Sequence, residues 1–235
     1  MTAILQWTSL FVCIGCSVWR FPALLKGRNR SLFWSFVAAS LCVALSIPGI
    51  YLPVDALLGG NNFANVILRL SLFTVFFLIS AKIAAAYESA TAVRLVRGPI
   101  GIAVLVVCSA GIWITYLLSD LRGSSTGLAG FFEQPSVGLY MRFGFVYIAY
   151  VAACLIAPTA RAALSQRPAL DRIAASFMCL GFVLVCLTIP VQFSPFHDSS
   201  LMKIFSFSAI LCVAAGLVMV WLSFIRRPAG GHIRA

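Results

Sequence analysis

Few side chains in this sequence have the type and spacing that chemistry requires. Cys13 and Cys16 stand at the C-x-x-C spacing of metal and redox sites. No second pair, histidine or carboxylate lies near them, and all 8 cysteines fall in apolar text, where cysteine acts as a small hydrophobe. The histidines, His197 and His232, lie in a loop and in the tail, so neither meets a carboxylate at bilayer depth. Nucleophilic catalysis needs a hydroxyl or thiol beside a base. No apolar stretch holds such a pair or two carboxylates, and no H-E-x-x-H, P-loop or dinucleotide fingerprint occurs. The last apolar stretch has no lysine after Lys203, which removes a retinal Schiff base. An enzyme, a metal site and a bound cofactor are therefore not expected.

The remaining polar residues point to binding rather than to bond-making. Arg69 lies inside an apolar stretch, and an ionisable group there is a functional candidate. Asp55, at the end of the preceding stretch, is its expected partner. Arg142 is placed to meet Asp120 or Glu133. Tyr140, Gly144, Tyr147 and Cys154 fall at helical spacings of one face, with Tyr150 one turn beyond Tyr147. Lipid offers a hydroxyl no partner, so these groups turn inward. Asp55, Arg69, Arg142, Tyr147 and Tyr150 thus form a candidate site for a small neutral or anionic solute. The same residues also fit interfacial pairs and ordinary helix packing. Pro48 and Pro190 are candidate hinges, since proline frees backbone groups and permits bending.

The elements that must position these residues are set by composition. Of 235 residues, 62% are hydrophobic and 10% charged, whereas a soluble domain carries roughly 25% charged residues. Lipid must be the main solvent. A crossing takes about 20 helical residues, and seven apolar segments of that order are present: 3–19, 31–52, 63–86, 99–119, 139–158, 173–191 and 204–225. These predict a single all-α transmembrane domain over 1–235, a seven-helix bundle. The first segment has no positive charge before it, unlike a signal peptide, and basic residues follow it.

Orientation follows from Lys and Arg. Arg20, Lys26, Arg28, Arg30, Lys82, Arg94, Arg97, Arg161, Arg167, Arg172, Arg226, Arg227 and Arg234 fall on one side. Arg69, Arg122, Arg142 and Lys203 fall on the other. This bias puts the amino terminus outside and the carboxyl terminus in the cytoplasm of a bacterial cell membrane. It also gives the net charge of +11 a role that needs no nucleic acid. The Asn29-Arg30-Ser31 sequon then faces the cytoplasm and is inert. The outer segment 120–137, with Gly123-Ser-Ser-Thr-Gly127, reads as a mobile loop.

Ser46-Ile-Pro-Gly-Ile-Tyr-Leu-Pro-Val-Asp55 matches Thr188-Ile-Pro-Val-Gln-Phe-Ser-Pro-Phe-His-Asp198 in a hydroxyl, Ile-Pro, an aromatic, a second Pro and an Asp. This match, with Pro22 and Pro158 near the ends of the first and fifth segments, suggests a 3+1+3 parallel repeat of the kind found in transporters. The preference of proline for the ends of transmembrane helices gives the same pattern.

Trp19-Arg20-Phe-Pro-Ala-Leu-Leu, Ile47-Pro-Gly-Ile-Tyr51, Val54-Asp-Ala-Leu-Leu-Gly59 and Asn62-Phe-Ala-Asn65 give the chain a resemblance to the seven-helix region of actinobacterial integral membrane proteins labelled as transporters, whose function is unknown. The resemblance covers the layout of the whole chain and the motifs of 19–65. It implies facilitated transport of an unidentified small solute, and it supplies no binding residues. Members usually carry a cytoplasmic region after the seventh helix, which is not expected in this sequence. The other expectation is a membrane sensor or accessory protein that binds a ligand or a membrane-protein partner.

Overall fold

A computed structural model describes residues 2–27, 30–193 and 200–226. Among these residues the chain is helical, with no strand. The helices are α1 (Thr2–Leu25), α2 (Arg30–Ser46), α3 (Pro48–Leu57), α4 (Phe63–Ala86), α5 (Ala90–Arg97), α6 (Pro99–Leu117), α7 (Pro135–Ala163), α8 (Ala169–Phe193) and α9 (Ser200–Arg226), with a 3-10 segment at Thr126–Phe131. A helix lies over each expected span. Four stretches of the described residues are long and apolar enough to cross a membrane: Phe63–Ala86, Ala90–Leu117, Pro135–Ala163 and Ala169–Val191. A fifth is added if α2 and α3 form one bent span. The exterior carries large apolar side chains such as Phe11, Trp19, Val107 and Leu211, as a lipid-facing protein does.

The expected span over 31–52 is made of two helices, with a bend at the candidate hinge Pro48. It breaks at Ile47, and α2 and α3 diverge by 94°. The cause is local. Pro48 has no N–H and sits at the first turn of α3, where none is needed. Ile47 before it is extended, at φ −89° and ψ 118°, as a residue preceding proline prefers. The amide of Ile50 turns back to the Ile47 carbonyl (3.0 Å). The Ser46 carbonyl, released from the ladder, accepts Nε2 of Gln6 on α1 at 3.1 Å. Pro190, by contrast, lies inside α8, which continues to Phe193. The two Ile-Pro pairs therefore have different backbones. The rest of the second repeat segment, with His197 and Asp198, lies outside the described residues, as does His232.

The chain divides into two compact units, Met1–Lys82 with Val96–Ile148, and Ile83–Leu95 with Ala149–Ala235. In the first, Leu45, Tyr51 and Ala64 form a buried cluster packed by Val54, Ile67 and Leu68. There Gly111 of α6 lets the Phe143 ring of α7 approach, since an added Cβ would lie 2.6 Å from that ring. In the second unit, α8 and α9 pack closely through Gly181 and Gly216. A Cβ on Gly216 would sit 2.9 Å from the Ala174 carbonyl oxygen, and one on Gly181 3.0 Å from that of Ala209. Ser223 of α9 donates to the Asp171 carboxylate of α8.

Candidate functional site

The turn between α3 and α4 gathers the residues of the Tyr51–Asn65 motif. Gly59 and Gly60 take φ of +104° and +65°, and Asn62 follows at +59°. These left-handed positions suit glycine, and asparagine better than most other residues. They fold the chain so that the Asp55 carboxylate, fully buried, faces the first turn of α4. Its Oδ2 accepts the Asn62 amide and its Oδ1 the Ala64 amide, each at 3.0 Å. An anion at a helix start satisfies free N–H groups and opposes the helix dipole. The Ser124 hydroxyl adds a third bond to Asp55 Oδ2 at 2.6 Å.

Asn62, also fully buried, carries the contact further. Its Nδ2 donates to the carbonyls of Leu121 (3.0 Å) and Gly123 (2.8 Å). Its Oδ1 accepts the Tyr51 hydroxyl at 2.9 Å and the Ser125 amide at 2.7 Å. The Gly123 amide donates to the Gly60 carbonyl at 3.0 Å. Segment 121–125 is therefore latched to the α3–α4 turn. Gln134 closes the base of the same loop, exchanging bonds with the Asp120 backbone at 3.1 and 2.7 Å. The mobile loop expected over 120–137 is instead held at 120–125 and contains the 3-10 segment.

Arg69, two turns into α4, does not take Asp55 as its partner, because that carboxylate is occupied by the turn and by Ser124. The guanidinium lies against the Met141 sulfur, 5.8 Å from the Tyr140 ring centroid and 5.5 Å from that of Phe145. It fits there because Gly144 has no side chain, and a Cβ would approach Arg69 Nη1 to 2.6 Å. Aromatic faces stabilise a cation in a dry setting. The Tyr140 hydroxyl donates to Asn65 Oδ1 at 2.8 Å. Asp120 meets Arg122 at 3.4 Å in an exposed pair, and Arg142 is half-buried on α7.

The two candidate tyrosines lie in different units. Tyr147 is buried in the first, its ring 4.5 Å from that of Phe73. Tyr150 belongs to the second, where its hydroxyl donates to the Leu95 carbonyl at 2.7 Å. Pro48 sits at the bend, beside the latch in sequence. Sequence reasoning gave no role to Tyr51, Asn62 or Ser124. The signal for the first two was the Gly59-Gly60 turn between Asp55 and Asn62, whereas Ser124 comes from a distant segment. In the first unit, an open apolar groove of about 560 Å³ runs between α2 and α4, lined by Trp34, Leu41, Ile67, Thr74 and Leu78. Its character is that of a lipid-facing surface.

No family model, curated protein or solved structure matches this chain.

Proposed function

We propose that the chain threads the bacterial cytoplasmic membrane seven times, amino terminus outside, and works as a sensor or accessory protein whose latched outer loop meets a ligand or a membrane partner. The alternation of Lys and Arg between successive gaps supports the span count and the orientation. The role rests on one observation: the Asp55 carboxylate is spent within the protein, on the Asn62 and Ala64 amides at the start of α4 and on the Ser124 hydroxyl of the latched segment. The Tyr51, Tyr140 and Tyr150 hydroxyls are likewise used within the protein. Such bonding builds a rigid outer face rather than a lining that solvates a passing solute.

Facilitated transport of a small neutral or anionic solute is the second reading. The 94° break at Ile47-Pro48 favours it, since interrupted helices form the sites of many transporters, and the resemblance to proteins labelled as transporters points the same way. Reconstitution into proteoliposomes with a solute panel separates the two. The sensor or accessory role predicts no uptake above protein-free vesicles. Saturable uptake that falls on Pro48→Ala substitution would overturn it.

A further inference from the structure

The loop after α4 and the loop after α7 enclose a polar cleft of about 300 Å³ within the second unit. That volume lies at the lower end of the roughly 300–1,000 Å³ of small-ligand sites. Tyr87, Glu88 and Ser89 line it from one loop, and Arg161, Ser165 and Arg167 from the other side. Arg161 occupies the last turn of α7, where a cation is favoured by the helix dipole, and its side chain is exposed. The Arg167 guanidinium is held over the Tyr87 ring, 5.6 Å from its centroid. Two guanidinium groups against the Glu88 carboxylate leave the lining side chains with an excess of positive charge, and the Asp171 carboxylate acts on Tyr87 from beyond that lining.

The hydroxyls divide by what they have left to give. Ser165 donates to the Ala162 carbonyl at 2.7 Å and has no proton to offer. Ser89 accepts the Ala92 amide at 3.3 Å at the start of α5, which leaves its proton available. Burial pushes the Tyr87 hydroxyl above its ordinary range, with Arg167 pulling it partly back and Asp171 raising it, and its proton is already donated to the Met178 sulfur at 3.8 Å. Guanidinium groups combined with a hydroxyl donor match the oxygens of a phosphate.

We propose that this cleft binds a phosphate group through Arg161 and Arg167, with the Ser89 hydroxyl as a further donor. The phosphate is carried either by an anionic phospholipid headgroup or by a soluble phosphate. The full chain in a neutral detergent is titrated with phosphatidylglycerol, phosphatidylcholine and inorganic phosphate, and binding is read by native mass spectrometry and by thermal shift. Arg161→Gln and Arg167→Gln should each weaken binding by about tenfold, the worth of one charged hydrogen bond. Glu88→Gln, which removes the repelling carboxylate, should tighten it several-fold, a gain that damaged folding would not give. Arg94→Gln removes equal charge outside the cleft and should change nothing. Phosphatidylglycerol binding with this variant pattern supports a lipid source, and inorganic phosphate binding with the same pattern supports a soluble one. If neither probe separates the Arg161 and Arg167 variants from Arg94→Gln, the site does not exist.

Discussion

Replacing Asp55 with Asn should release the 121–125 segment. The Ser124 hydroxyl donates to the Asp55 carboxylate at 2.6 Å, and a hydrogen bond to a charged group contributes about 1.5–3 kcal/mol. Within this segment stands Arg122, whose side chain is 89% exposed and offers trypsin a cleavage point. When a loop recloses faster than it is cut, cleavage follows the population of the open form. Losing the bond should therefore speed cleavage after Arg122 by about ten- to a hundredfold, at about 1.4 kcal/mol per tenfold. Ser124→Ala removes the same bond and leaves those from the Asn62 and Ala64 amides in place, so it should accelerate cleavage no more than Asp55→Asn does. The double variant should be little faster than Asp55→Asn alone, as a mutant cycle on one shared bond requires. The assay is timed proteolysis of the purified full chain, with fragments identified by mass. Cleavage of Asp55→Asn within about twofold of the parent, in the regime where rate reports opening, would refute the latch. Fully additive single effects would refute the claim that the two side chains act through each other.

Three further outcomes follow from packing and bonding. Gly216→Ala and Gly181→Ala should each lower thermal stability by about 1–3 kcal/mol, because the new methyl meets backbone of the facing helix and overpacking costs that much. Asn62→Ala should destabilise by more than about 2 kcal/mol in chemical unfolding, since the buried Tyr51 hydroxyl and the Ser125 amide lose their acceptor at about 1–3 kcal/mol each. Tyr150→Phe removes one bond to the Leu95 carbonyl and should cost only about 0.5–1.5 kcal/mol by the same measurement.

The helices were legible because apolar runs of membrane length leave the backbone few alternatives, and α4, α6 and α8 begin and end close to the expected residues. The bend at Ile47 was half legible: Pro48 marked a weak point, but the same dipeptide at Pro190 is absorbed in a continuing helix. Periodicity could not separate the two, because the outcome depends on whether a released carbonyl finds a partner, as Ser46 finds Gln6. The pairing of Arg69 with Asp55 was read from opposite charge and proximity in sequence. It failed because the amides at the start of α4 and the Ser124 hydroxyl compete for the same carboxylate, and Ser124 is remote in the chain. Arg69 instead took aromatic rings over a glycine, a solution that charge counting does not consider. The basic cleft was hidden in the same way. Arg161 and Arg167 were counted for orientation, and only the approach of two loops sets them beside Tyr87 and Ser89.

The central claim is that the chain crosses the bilayer an odd number of times with its amino end outside. Epitope tags at each terminus, probed by protease on right-side-out vesicles before and after permeabilisation, test it most directly. The amino-terminal tag should be removed from intact vesicles, and the carboxyl-terminal tag only after permeabilisation. Loss of both tags from intact vesicles, or protection of both, would contradict the account.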